Sequence, residues 1–390
     1  MPRYRRTAYA FLYCHDTGFL DIGLLLRGTA KPVSLHQVLG LSVLTGTMHA
    51  LSGAEVELFL GTDGDWGEAP MGDESRCAEL ARKGLLVSDA DEDELRELRR
   101  RDEVLGREQW HVFAALYHFL TRWRGQDVWR ALPEADLAEA EAELVRRWGE
   151  PPPPFPARGG TAVPLPRPDR RGALYELLER RRTTRAFDLE RPMSAEELSV
   201  LLFYTFGCRG YTRLEANLVA LRKTSPSGGG LHPTEAYPLV RDVDGLEPGV
   251  YHYDAGSHAL EPVALLPAEE VGELAVRIAA GQPYAREAHA LVVLTSRFLR
   301  SFWKYRRHDR AYAVLLMDAA HLSQTFYLLC TELGLGAFVT AAINGADAEE
   351  RLGLDGFSEG AVALCGCGKP AGRSVLDPEF LPYVPGETVL

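Results

Sequence analysis

Apolar and polar positions along this chain follow two periods in turn, and a change of period marks a change of element. Tyr9 to Cys14 and Leu20 to Leu26 read as two short strands about a Thr17-Gly18 turn. Ser34 is placed to N-cap an apolar-periodic helix, Leu35 through Leu44, and Val56 to Leu60 reads as a strand ending at Gly61. Glu74 to Lys83 reads as a helix closed by Gly84, with Leu85 to Val87 as the strand after it. Alternating charge fills Asp91 to Arg101. From Glu108 to Arg124 the residues Trp110, Phe113, Leu116, Tyr117, Leu120 and Trp123 share one helical face, a packing stripe rather than a cofactor box. A helix over Glu134 to Trp148 then runs into PPPPFP and VPLPRP, whose proline density excludes helix and central strand.

The pattern resumes after that break. Gly172 to Arg182 is helical, and Ser194 with Glu197 has the capping-box spacing at the head of a helix that stops at Gly207. Tyr237 to Val240, Val250 to Tyr253 and Leu291 to Thr295 read as strands of one sheet, with a helix over Glu269 to Ala280. Asp309 to Leu333 predicts a long helix in which Ala313, Ala319 and Ala320 permit close packing, and Ala361 to Cys365 predicts a last strand. Four segments follow: 1–90 a small α+β module, 91–150 a helical connector, 151–169 a proline-rich linker and 170–390 the main domain, with the boundary between Glu150 and Arg170.

Composition narrows the chemistry. A chain of 390 residues, 46% hydrophobic, can bury a large core. Its 55 acidic against 43 basic residues, net charge -12, argue against a phosphate-backbone partner, so no nucleic acid is expected. The apolar run in Met1 to Gly18 is short and broken by His15 and Asp16, which predicts neither export signal nor membrane span and places the protein in the cytoplasm. The six cysteines are scattered, and Cys365 and Cys367 are spaced C-x-C. They read as reduced structural thiols, with no metal site.

The stretch Lys223 to Pro238, KTSPSGGGLHPTEAYP, departs from all of these patterns. Three glycines between two X-Pro turns leave bare backbone against which a flat ligand can lie, with the hydroxyls of Ser225, Ser227 and Thr234 beside it. No Gly-Lys-Ser/Thr closes it as a phosphate loop, and Ser227 lacks a nucleophile-elbow frame. By itself the run also reads as a surface loop.

Read in order, RRTTRAF at 181–187, SPSGGGLHP at 225–233, WKY at 303–305 and the helix from Asp318 to Phe338 resemble the FMN-dependent nitroreductase superfamily. Within it they resemble the SagB-type dehydrogenases, the azoline oxidases of peptide maturation. The resemblance covers about Gly172 to the C-terminus and implies an α+β class: a nitroreductase-like FMN-binding fold, with a central antiparallel or mixed sheet flanked by helices. The preceding 1–90 segment resembles a winged-helix module of the kind that grips a leader peptide, and equally reads as an arbitrary small α+β accessory domain. By the resemblance, Arg181, Arg182, Thr183 and Arg185 hold phosphate and ribityl, where the bland alternative is a solvated helix end. Pro226, Ser227, Gly228 and Gly229 lie on the flavin ring, contributed in a homodimer by the second subunit with FMN at the interface. Thr340, Ala341 and Ala342 line the ring edge, and Gly366, Gly368, Lys369 and Arg373 close over the phosphate.

The family's catalytic Lys-Tyr dipeptide falls on Lys304 and Tyr305. Converting an azoline to an azole removes a carbon-bound proton and a hydride, so the protein must supply a base. Tyr305 is the expected base and the Lys304 ammonium the group that favours its phenolate. Without the resemblance Lys304 would read as part of a basic connection with Arg306, Arg307 and Arg310. His232 and His308 are given no catalytic role. The expected function is azoline oxidation in a ribosomally made precursor peptide. Two alternatives stand beside it: an NAD(P)H-fed reductase of dehydroamino acids, quinones or nitroaromatics, and a non-catalytic peptide-binding subunit of a synthetase, as in a cyclodehydratase complex.

Overall fold

The computed structural model describes residues 1–19, 33–130, 137–155, 168–214 and 218–372, with the single positions 159, 163, 165, 166, 377 and 380. The strand expected over Leu20 to Leu26 and the site residue Arg373 lie outside the described residues.

The chain opens with β1 (Arg3–Arg6), β2 (Ala10–Phe19), β3 (Val33–Ser42) and β4 (Thr47–Leu51), the last three forming an antiparallel meander. Helix α1 (Gly53–Gly61), β5 (Gly67–Glu68), α2 (Glu74–Arg82) and β6 (Leu86–Ser88) follow, and β1 pairs between β5 and β6. Three expectations reverse here. Thr17 and Gly18 are not a turn but lie inside β2, opposite Leu35 and Ser34. Leu35 to Ser42 is strand, not helix, and Val43 and Leu44 lie in the turn after it: VSLHQVLGLS also alternates with period two, and pairing with β2 and β4 satisfies its backbone. Val56 to Leu60 is helix, not strand, because Ser52 and Glu55 form a complete capping box that starts α1. Next come α3 (Asp93–Arg107) and α4 (Val112–Thr121), separated at Gln109, whose φ of +60° ends the first helix. That break splits the aromatic stripe: Trp110 is fully buried, whereas Phe113 and Tyr117 are exposed. Helix α5 (Leu137–Trp148) precedes the proline-rich stretch, whose described residues 151–155, 159, 163, 165, 166, 168 and 169 are in neither helix nor strand.

Beyond it are α6 (Ala173–Arg180), β7 (Met193–Ser194), α7 (Ala195–Phe206), the hairpin β8 (Gly210–Arg213) and β9 (Val219–Arg222), then β10 (Thr234–Val240), β11 (Val243–Asp244), β12 (Gly249–Asp254) and β13 (Ala259–Leu265). They are followed by α8 (Ala268–Ile278), β14 (Ala290–Arg297), α9 (Phe298–Tyr305), α10 (Ala311–Glu332), β15 (Gly336–Thr340), α11 (Gly345–Leu352) and β16 (Glu359–Gly368). The capping box at Ser194 and Glu197 forms as the sequence predicts. The main sheet is antiparallel throughout, in the order β13-β12-β10-β14-β16-β15. Its central strands are buried on both faces, while the edge strand β13 is largely exposed. Ala290, Val292 and Leu294 pack with α7 and α10, while Leu291 and Val293 pack with α8 and α11, which is why β14 reads as an unbroken apolar run. A further core cluster joins the two halves of the chain: Tyr9, Val43, Leu44 and Trp110 pack with Phe298, Phe302 and Leu315. The strap from Trp123 to Val128 is hydrogen-bonded across the same junction, Gln126 N–H to Asn344 Oδ1 (2.8 Å) and Val128 N–H to the Ala280 carbonyl (2.9 Å).

Candidate functional site

Helix α10 organises the candidate site because it is buried along a stripe, Ala311, Leu315, Ala319, Leu322 and Phe326, and leaves a flank on either side. Asp318 lies at one edge of the stripe and Tyr327 at the other; nine residues at 3.6 per turn set them about half a turn apart.

On the Asp318 flank sits the glycine loop. Ser227 Oγ donates to Asp318 Oδ2 (2.6 Å) and the Gly228 N–H to Oδ1 (3.1 Å), while Ser225 shares a hydroxyl contact with Thr325 (2.6 Å) and the His232 N–H donates to Ser227 Oγ (3.0 Å). Burial raises the Asp318 carboxyl above its usual range, and the Ser227 and Gly228 donors act against that rise. Gly229 has φ +65°, a left-handed conformation suited to glycine. A side chain at Gly228 would strike Val314 of α10. One at Gly229 would meet the Tyr305 hydroxyl at 2.7 Å and the Lys304 ammonium at 2.8 Å. Pro226 and Gly229 are exposed and Ser227 and Gly228 half-buried, so the loop presents backbone to solvent beside these two side chains.

Lys304 and Tyr305 reach that point from α9. Phe298, Ser301 and Phe302 are its buried face, which leaves Lys304 exposed in the last turn, where the helix dipole favours a cation. The Lys304 ammonium is 5.6 Å from the centre of the half-buried Tyr305 ring. Arg306, at φ +50°, ends the helix immediately after them. His232 is buried with φ +46°, its imidazole pushed down to about 4 by burial, and His308 faces Asp309, so neither joins the pair.

The Tyr327 flank carries the arginine motif. The Tyr327 hydroxyl accepts from the Val339 N–H (3.0 Å) and lies 3.1 Å from the Thr183 hydroxyl, and the Arg181 guanidinium sits 5.4 Å from its ring centre. Thr184 pairs its N–H with the Ala337 carbonyl (2.7 Å) and fills the space beside Gly336, locking the motif against β15. Arg182 is exposed. Arg185 stacks 5.5 Å over Tyr284 and pairs with Asp377 (3.1 Å). At the end of β15, Gln282 Nε2 donates to Thr340 Oγ1 (3.2 Å) and the Ala342 carbonyl (3.0 Å), which fixes the loop that leaves Ala341 exposed. Of the C-terminal group, Lys369 is paired with Glu197 of α7 (2.5 Å), and Gly366 and Gly368 lie in the sheet where side chains would strike Phe338 and His289. Packing accounts for both of these glycines.

Four residues that sequence reasoning left without a role hold this arrangement: Asp318, Val314, Tyr327 and Gln282. Asp318 carried a signal, being a carboxylate on the apolar stripe of a buried helix, a position that needs donors to satisfy it. A flavin nucleotide suits what the two flanks offer. Bare backbone at Gly228 and Gly229, where a Cβ would collide with α10 or α9, suits a flat ring. Fork-shaped guanidinium donors and the Thr183 hydroxyl suit a phosphate and a polyol chain. Among the described residues no cluster of metal-ligating side chains occurs.

The profile of the nitroreductase family matches residues 178–369. A protein of Methanocaldococcus jannaschii named as a nitroreductase is 32% identical over 182 residues, 46% of this chain and 83% of that protein. The trifolitoxin-processing protein TfxB of Rhizobium leguminosarum bv. trifolii is 31% identical over 180 residues, 45% of this chain but only 47% of that protein. Among solved structures, a chain of the E. coli microcin synthetase McbBCD complex with truncated pro-MccB17 bound shares the fold. Its TM-score is 0.51 at 20% identity, covering 69% of this chain and 94% of that one.

Proposed function

The chain belongs to the nitroreductase family, an oxidoreductase family, and from that premise we propose that it is a homodimeric, FMN-dependent dehydrogenase that oxidises azolines to azoles in a ribosomally made precursor peptide. The observation that carries the reading is the meeting of the Tyr305 hydroxyl and the Lys304 ammonium above Gly229. An azoline must lose a carbon-bound proton as well as a hydride, and a hydroxyl and an ammonium converging at that point are groups suited to removing it. Tyr305 Oη is the base that takes that proton, with the Lys304 ammonium placed beside it. FMN, when bound, supplies the two-electron acceptor for the hydride, with dioxygen as the terminal oxidant. Arg181, Arg182, Thr183 and Arg185 would hold its phosphate and ribityl, and the glycine loop its ring. Similarity to a trifolitoxin-processing protein supports a peptide as the substrate.

The split of the half-sites across α10 supports the dimer. A ligand lying against the glycine loop of one chain is on the far side of the helix from that chain's Arg181 and Thr183, so one molecule touching both kinds of group is best served by two chains. The exposed face of α10 between the flanks carries the apolar Leu316, Met317 and Ala320 together with His321 and Gln324, a mixed surface of the kind that a partner could cover. Anaerobic rapid mixing tests the reading. An azoline peptide should bleach the flavin of a yellow protein carrying one FMN per chain. Fast bleaching by NADPH with none by the azoline peptide would replace it with the reductase alternative.

A further inference from the structure

The N-terminal region does more than precede the flavin half, because the catalytic helix is seated on it. Helix α9 is eight residues long and has one buried face, Phe298, Ser301 and Phe302. Two of these enter the cluster built by Tyr9, Val43, Leu44, Leu105 and Trp110. Trp110 is fully buried, with its ring centre 4.5 Å from that of Phe298 and 5.1 Å from that of Phe302. Its indole N–H donates to the Phe357 carbonyl (2.9 Å), just ahead of β16. The same tryptophan therefore ties α9 to the sheet.

We propose that Trp110 is a positioning residue for Lys304 and Tyr305, and that the N-terminal region builds the catalytic geometry as well as any contact with a peptide; this rests on the reading of those two residues as the proton-removing pair. Phe302 is less than one turn from both, so rotation or translation of α9 on Trp110 passes directly to the tips above Gly229. The geometry tolerates little of it, since both polar ends lie within 3 Å of one point over the glycine. A displacement of about 1 Å at a reacting group can cost about 100-fold in rate. Neither the arginine motif nor the glycine loop touches Trp110, so cofactor binding should not follow it.

The test uses the full chain loaded with FMN, in Trp110→Leu and Trp110→Phe forms. Trp110→Leu should keep FMN near one per chain and KM for an azoline peptide within about twofold, while kcat falls roughly 10- to 100-fold. Amide hydrogen exchange should quicken over 298–306 more than over α7, and Trp110→Phe, which keeps an aromatic ring against Phe298 and Phe302, should recover most of the rate. If Trp110→Leu does not fold, Phe302→Leu loosens the same contact from the other side and should give the same kcat loss. Unchanged kcat, or a loss that merely tracks lost FMN, overturns the proposal. A wild type that binds FMN but turns over no azoline peptide fails the proposed function instead, and unchanged exchange over 298–306 in Trp110→Leu would still overturn the positioning role.

Discussion

Tyr305 and Lys304 share one position above Gly229 but carry different chemistry, so removing them separately distinguishes their parts. Tyr305→Phe deletes only the proton acceptor and Lys304→Ala only the charge beside it; neither residue contacts the arginine motif. Both variants should remain yellow, and substrate-dependent flavin reduction should slow by about 10²- to 10⁴-fold, the usual cost of losing a general base. Lys304→Arg keeps the charge on a bulkier, differently hydrated head, and partial activity there with none in Lys304→Ala would assign the lysine an electrostatic part. Losses below about tenfold in both single variants, measured by stopped flow, would reduce the pair to positioning groups. The dipeptide was legible in the sequence, and so was the glycine run. Their meeting was not, because it depends on α9 and α10 packing across about 80 residues of intervening chain, which no local pattern records.

Among elements, α11 shows how burial and pairing compete. Its Glu349 is buried, receives Arg122 Nη1 at 2.8 Å from the N-terminal region and the Ala361 N–H at 3.1 Å from β16, and has Asp355 and Arg124 in its field. Burial outweighs the arginine and lifts the carboxyl to about 7. The folded chain thus holds this proton more tightly than the unfolded chain does, so the contribution of Glu349 to stability is full below the unfolded value near 4.5 and is lost as pH rises to about 7. His118 of α4 runs the other way: burial holds its imidazole down to about 3, so its contribution is lost as pH falls below 6.5. Because the two windows overlap, the difference between wild type and Glu349→Gln isolates the carboxyl. Denaturation at a series of pH values should show wild type losing on the order of 3 kcal/mol relative to Glu349→Gln between pH 4.5 and 8; a constant difference would mean the carboxylate is ionised throughout. In the main sheet β10, β12, β14 and β16 fall where the sequence expects strands, the apolar run of β14 being the plainest signal, whereas β13 and β15 were not expected and the helix read to Phe338 stops at Glu332. In the first ninety residues the strand from Tyr9, the helix from Glu74 and the strand at Leu85 to Val87 followed it too, and two elements did not. In 35–42 the two periods coincide and partner strands decide, while after Ser52 the capping box prevails over the β-prone run Val56 to Leu60.

At the scale of the whole molecule the question is whether one chain or two complete the site, and the two flanks of α10 make it answerable without seeing the cofactor. If a site takes Arg181 and Arg185 from one chain and Lys304 and Tyr305 from the other, a chain carrying Arg181→Ala with Arg185→Ala and a chain carrying Tyr305→Phe are each inactive as homodimers. Paired together they are not equivalent to either. In the mixed dimer one site receives both defects and the other receives none, because the intact arginines of the second chain face the intact Tyr305 of the first. Co-expression with distinguishable tags and isolation of the doubly tagged species should therefore restore about half of the wild-type activity per dimer, and an untagged statistical mixture about a quarter. A site contained within one chain predicts no recovery, since every site in the mixture would carry one defect. Both arrangements leave the mixed dimer one tightly held flavin, but the split site predicts that this flavin is bleached by the azoline peptide and the single-chain site that it is not. Flavin retained without recovered activity would place the arginines and Tyr305 of each chain in the same site and overturn the exchange of half-sites across α10.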